Sequence, residues 1–176
     1  MAGGVQGSRR GYHVDEQKFW AIVQRSHDAS GGDMEKKSAV ITAEISRLTR
    51  DEALGFSRLF DSMMDKAYSW KLWGAAYVIH GGCGDDTFSD FRASLISRGR
   101  AAFAQALNDP DSLADEDLGE DEWFFEGYQY AVTDGVTSAT GARPPRGQPY
   151  PEAPSGTEWD EAKVYDNYPR LRDKYA

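Results

Sequence analysis

The chain has 176 residues, the length of one ordinary domain with some tail, and 29 acidic residues against 20 basic ones give it a net charge of -9. That charge is repelled by phosphate backbones and argues against nucleic acid as a partner. The longest apolar run, about 11 residues against the ~20 a helical span needs, argues against a membrane, and the single cysteine leaves no internal disulfide.

Residues 1–13 hold Gly3, Gly4, Gly7 and Gly11 beside Arg9 and Arg10, with no periodic apolar face, and predict a flexible arm. A first helix is expected from Val14 or Asp15, carrying Phe19, Trp20, Ile22 and Val23. Ser30-Gly31-Gly32-Asp33 breaks it, and a second helix should cover Met34 to Leu48. Thr49-Arg50-Asp51-Glu52 has the form of a capping box, with Thr49 as N-cap and Glu52 reaching back. The helix it opens is the clearest in the chain: Phe56, Leu59, Phe60, Met63 and Ala67 form one stripe, while Arg58, Asp61, Ser62 and Asp65 take the opposite side.

Trp70 to Ile79 is apolar on nearly every side, with Lys71 its only charge. At 100° per residue, Trp70, Trp73, Tyr77 and His80 fall within an arc of about 80°, and Leu72, Ala75, Ala76 and Ile79 cover the other side. A helix apolar all round is packed on both faces, which predicts a central position. Gly74 and Ala76 let neighbours approach closely. Gly81-Gly82-Cys83-Gly84 then forms a hinge.

Asp85 or Asp86 is a good N-cap for the next helix, whose inner face is Phe88, Phe91, Leu95 and Ile96. Gly99 predicts a kink or interruption before Phe103, Ala106 and Leu107 resume the stripe. Arg92 shares the arc of Phe88 and Leu95, an unusual place for a guanidinium. Pro110 ends this helical stretch. Residues 109–126 hold nine acidic residues and no basic one. A long final helix is expected from about Glu122 to Ala139, turning Phe124, Phe125, Tyr128, Val132 and Val136 inward. Residues 140–157, rich in Gly and Pro, should be irregular, with Trp159, Tyr165, Tyr168 and Leu171 pinning the end to the body. No repeat and no strand pattern is seen. The expectation is an all-α, single-domain bundle of about six or seven helices around the helix 70–80. The flexible arm 1–13 precedes a helical domain over 14–139, and an irregular segment, 140–176, packs on it.

The block Ala67-Tyr68-Ser69-Trp70-Lys71-Leu72-Trp73-Gly74-Ala75-Ala76-Tyr77-Val78-Ile79, followed by Gly81-Gly82-Cys83 and Asp85-Asp86, resembles a bacterial family, common in actinobacteria, called domain of unknown function 4240. Phe19-Trp20, Phe88, Phe91-Arg92, Leu95-Ile96, Gly99-Arg100, Asp109-Pro110-Asp111-Ser112-Leu113-Ala114 and Tyr168-Pro169-Arg170-Leu171 carry the likeness over roughly residues 14–175. The resemblance implies no established activity and no catalytic assignment. Two positions depart from the family pattern. Gly84 stands where a capping hydroxyl is expected, and a tryptophan common near the C-terminal end is replaced around Arg172.

Several side chains could carry chemistry. His80, Cys83, Asp85 and Asp86 are residue types that ligate zinc, but no second Cys/His cluster completes a closed site, and a tight interhelical turn explains them as well; no metal and no cofactor is predicted. Cys83 as a nucleophile would feel opposing effects, the helix N-terminus lowering its pKa and the two aspartates raising it, so a structural thiol is the simpler reading. A phosphate cradle at 81–84 is opposed by the same aspartates, and neither known glycine spacing is present. Arg92 needs a partner: a structural ion pair is the bland reading, an anchor for a ligand carboxylate or phosphate the sharper one. Trp70, Trp73, Tyr77 and His80 are either core or the wall of an aromatic pocket. The acidic stretch 109–126 is either a solvated loop or a docking surface for a basic partner.

The first functional expectation is therefore a non-catalytic binding or interaction protein, regulatory or accessory, acting in the cytoplasm on an unidentified protein or small molecule. The alternative is an enzyme or small-molecule-binding accessory protein with the polar cluster His80, Cys83, Asp85, Asp86 and Arg92 at the mouth of an aromatic pocket lined by Trp70, Trp73, Tyr77 and His80. A weaker alternative is an immunity-like protein that neutralises a basic toxin. Neither an enzyme assignment nor an oligomeric state is encoded legibly.

Overall fold

A computed structural model describes residues 14–176; the predicted arm over 1–13 lies outside them. In chain order the α-helices are α1 (Glu16–Ser30), α2 (Met34–Ser46), α3 (Arg50–Lys66), α4 (Trp70–His80), α5 (Asp85–Ser97), α6 (Arg100–Asn108), α7 (Glu120–Trp123), α8 (Gly127–Thr140), α9 (Val164–Asn167) and α10 (Pro169–Tyr175), with a 3₁₀ helix at Pro110–Asp115. Seven of these have nine residues or more, matching the expected six or seven; the additions are the short α7, α9 and α10. Among the described residues the only β pairing is one isolated bridge, Ser69 with Ser155, and the fold is an all-α bundle.

Local chemistry sets the boundaries. Asp15 and Asp33 cap α1 and α2 by accepting the N–H of Lys18 and Lys36. The capping box at α3 is complete, with Thr49 and Glu52 bonded reciprocally. At α5 the cap is Gly84, with no side-chain hydrogen bond, and Asp85 and Asp86 occupy the first helical turn instead of the predicted N-cap. There they face the positive end of the helix dipole. The interruption expected at Gly99 is a full break: its φ of 97° ends the α5 run and α6 begins at Arg100.

The single helix expected over 122–139 is two. Trp123 is buried against Phe91, Phe124 lies on Phe91 and the His80 ring, and Phe125 folds across Gly127. Three consecutive residues of one helix are ~100° apart and cannot all reach such neighbours, so the helix stops and restarts at Gly127.

The tightest helix pairing is α2 on α8, flanked by α1 and α3. Helix α2 also buries a lysine completely: Lys37 donates from Nζ to the Ser97 hydroxyl of α5 at 3.2 Å, and its carbonyl accepts from the Ser26 hydroxyl of α1 at 2.9 Å. Helix α4 is packed on both faces, as an apolar helix requires. Leu72, Ala75, Ala76, Val78 and Ile79 are in the core. The other face is covered by the C-terminal segment, through Trp159, Tyr165 and Tyr168. Two backbone bonds start this cover, Trp70 N–H to Ser155 O and Ser155 N–H to Tyr68 O, and α10 ends it by burying Leu171.

Candidate functional site

The structural feature best suited to a ligand is a cleft of about 620 Å³ between α3, α5 and α8, roofed by the segment 143–151. Arg92 from α5 lines it although the residue is only 8 % exposed. Its Nε donates to the Phe88 carbonyl at 3.3 Å and its Nη1 to the Met64 carbonyl at 3.0 Å. The guanidinium carbon lies 4.7 Å from the centre of the Tyr68 ring and 5.0 Å from that of Phe88, a cation–π arrangement that holds the plane of the fork. No carboxylate of the described residues stands within ion-pair distance, so the partner foreseen for Arg92 is main chain and aromatic rings, not an acid. Burial lowers the Arg92 pKa, with Asp85 the first of the charges opposing that shift, and an arginine remains charged under such a shift. Among the described residues, the bonds to Phe88 and Met64 are the hydrogen bonds that Arg92 makes.

Tyr68 links this guanidinium to the first turn of α5. The ring lies under Arg92, and the hydroxyl donates to Asp85 Oδ1 at 3.2 Å. Burial, then the Asp85 charge, pushes the Tyr68 pKa up, so the phenol keeps its proton. Asp86 lines the cleft beside Asp85 and makes no hydrogen bond or ion pair with the described side chains. Two further carboxylates come from α3. Arg146 in the roof reaches both, pairing closely with Asp65 and standing 3.7 Å from Asp61. Gln148 donates to Asp65 at 2.7 Å, and the Arg146 guanidinium covers the Tyr150 ring at 3.9 Å. Burial raises the Asp61 pKa while Arg146 opposes the shift. The roof is thus latched to α3 through Arg146 and Gln148.

Three of the eight residues singled out from the sequence, Asp85, Asp86 and Arg92, line this cleft. The other five do not. Trp70, Trp73 and Phe88 stack in series at 5.3 and 4.9 Å, and Tyr77 packs on Trp159 at 4.9 Å and donates to Glu161 at 2.6 Å. The aromatic arc is therefore occupied by the chain's own C-terminal segment. His80 is exposed, with Nδ1 2.5 Å from the Gly82 carbonyl oxygen and its ring on Phe124. Cys83 is half-buried; burial chiefly, with Asp85 and Asp90 adding to it, pushes its thiol up to about 12. A thiol so held is a poor nucleophile. Among the described residues no three His, Cys, Asp or Glu side chains converge on a metal site.

Sequence reasoning did not single out Tyr68, Arg146 and the roof. Tyr68 had a visible signal, an aromatic residue just before the capped helix α4. Arg146 had none, because the Gly/Pro-rich stretch around it carries no period. Of the nine acidic residues in the stretch 109–126, Asp111, Asp115 and Glu116 serve internal contacts. Asp111 accepts the N–H groups of Arg170 and Leu171 at 3.2 and 3.0 Å, and so caps α10. Asp115 pairs with Arg170 and Glu116 with Arg98.

The architecture and the cleft define an all-α protein with a charged recess between three helices. A family model described as "Protein of unknown function (DUF4240)" matches residues 14–136, and the chain belongs to that family. The match covers Arg92, Tyr68 and the aspartates but stops short of the C-terminal residues that carried the resemblance in the sequence. No curated protein and no solved structure matches the chain. No helix among the described residues is long and apolar enough to cross a membrane.

Proposed function

We propose that this is a non-catalytic binding protein that holds a small molecule by an anionic group seated on Arg92. The observation that carries this reading is the state of that side chain: nine-tenths buried, lining the cleft, fixed by two carbonyls and two rings, and without a carboxylate partner among the described residues. A buried guanidinium without an ion pair is costly, and a pre-oriented fork matches carboxylate or phosphate oxygens.

Catalysis is less well supported. The thiol lies outside the cleft, no histidine of the described residues lines it, and Asp61, whose pKa is raised, is held by Arg146. Docking of a basic partner on 109–126 has no comparable observation behind it, and Asp111, Asp115 and Glu116 of that stretch already serve α10 and Arg98. The lone half-buried thiol suits a reducing compartment, and we take binding to occur in the cytoplasm.

The test is a nuclear magnetic resonance titration with inorganic phosphate and hexanoate as probes. Shifts should gather at Met64, Tyr68, Phe88 and Arg92 and vanish in Arg92→Lys, whose point charge cannot reproduce the fork. Shifts elsewhere, or none with either probe, would overturn the proposal.

A further inference from the structure

We infer that the roof of the cleft, with the residues flanking it over 142–154, is a strap that opens, and that the charge latch of Arg146 on Asp61 and Asp65 controls entry to Arg92. That the strap admits a ligand rests on the reading of Arg92 as an anion site; that it opens does not.

Both ends of the strap are fixed. Where it leaves α8, Arg50 donates to the Thr140 carbonyl at 2.8 Å. Where it rejoins the body, the Ser155 N–H donates to the Tyr68 carbonyl and the Ser155 carbonyl accepts from the Trp70 N–H. Gly141, at φ 81° and with nothing within 4 Å of a Cβ built on it, leaves the first end free to turn. Between the ends the chain adds little of its own. Five of the thirteen residues are proline, which have no N–H to donate and a fixed φ, so the span forms no regular structure and moves as a stiff piece. None of the thirteen is buried, and none makes a backbone–backbone hydrogen bond among the described residues.

The middle is therefore held by side chains: Arg146 on Asp65 and Asp61, and Gln148 on Asp65 at 2.7 Å. The paired side chains are 14 to 22 % exposed, and Arg146 Nε is buried without a partner. Ion pairs open to water contribute little net stability and are screened by salt. A segment with no buried residue and one polar latch opens locally at low cost, long before the helices beneath it. The latch also stands over the base of the cleft. Burial lowers the Arg92 pKa, and the charges that act on it beside Asp85 and Tyr68 are Asp65 and Arg146, both members of the latch.

The experiment measures access to Arg92 directly, by labelling with phenylglyoxal and reading each arginine by peptide mass spectrometry. The double variant Asp65→Asn/Arg146→Gln removes the latch and keeps the net charge of the cleft. The expected result is that its Arg92 is labelled about tenfold faster than in the native protein. Arg98, which is also shielded but lies outside the cleft and pairs with Glu116, should keep its rate. Gly147→Val reaches the same end without touching a charge, because a Cβ there lies 2.9 Å from Arg58 Cγ of α3 and pushes the strap off. If a thermal melt shows the double variant unfolded, Gly147→Val decides alone. Unchanged labelling of Arg92, or an equal rise at Arg98, overturns the strap. The anion reading is decided apart from this, by hexanoate titration of the native protein: shifts at Arg92 keep it even if the strap fails, and their absence removes it even if the strap opens.

Discussion

The hydroxyl of Tyr168 donates to the main-chain carbonyl of Lys71 at 2.5 Å, and it does so across the gap left by Gly74. A Cβ at position 74 would lie 2.6 Å from that hydroxyl, 2.8 Å from Cε2 of the same ring and 3.0 Å from Trp159 Cδ1. Gly74→Ala therefore sets helix propensity against overpacking. Alanine gains up to about 1 kcal/mol in a helix interior, but displacing a buried tyrosine costs about 1–3 kcal/mol, and Tyr168 is only 5 % exposed. The variant should be less stable in chemical denaturation, and protease should cut the 141–163 segment sooner. Unchanged stability with unchanged cleavage would show that the C-terminal cover is not seated on α4.

Glu52 ties α1 to the start of α3. It accepts from Lys18 Nζ at 2.6 Å and from the backbone N–H and hydroxyl of Thr49 at 3.0 and 2.9 Å. The Lys18 hydrogen bond, then those of Thr49, hold its carboxyl well down, at about 2. A depressed carboxylate contributes stability above its ordinary pKa of ~4.3, and that contribution is lost as pH falls toward the folded value. Urea midpoints of the native protein should thus drop between about pH 4.5 and about pH 2 more steeply than those of Glu52→Gln. Parallel profiles would contradict this account of Glu52.

Lys37 works with the opposite sign. Its burial lowers the ammonium pKa from 10.5 to about 8, and Arg98 adds to the effect. Below about pH 8 both the folded and the unfolded chain carry the proton, and the fold bears a buried charge. Between about 8 and 10.5 the unfolded chain holds a proton that the folded chain has shed, so stability attributable to this residue rises with pH. Lys37→Met should be more stable than the native protein at neutral pH, and the difference should shrink on the alkaline side. A methionine variant less stable at neutral pH would mean that the bond to Ser97 outweighs the desolvation.

How much of this could be read from the amino-acid order depends on the range of each interaction. The Thr49–Glu52 box spans three residues and was visible, as were the stripe of α3 and the all-round apolar α4. Arg92 stood out because a guanidinium on an apolar arc is a local anomaly. Its acceptors did not, because Met64 and Phe88 offer main-chain carbonyls that every residue has. The roof was invisible for a different reason. Arg146 meets Asp65 across 81 residues of chain, and nothing in a Pro/Gly-rich stretch marks where it will land. The same distance effect hid the fate of Trp70 and Tyr77, whose aromatic arc reads equally as a pocket wall until Trp159 is seen lying on it.

The extent of the family match gives the roof a further meaning. Arg92, Tyr68, Asp85 and Asp86 lie inside residues 14–136, whereas Arg143, Arg146 and Tyr150 lie beyond them. The recess thus straddles the end of the matched region, with its base within residues 14–136 and its roof beyond them. Grafting another member's tail in place of 141–151 would leave the guanidinium as it stands and alter the headroom above it. The part of the cleft that sets its headroom is thus also the part that the family model does not reach.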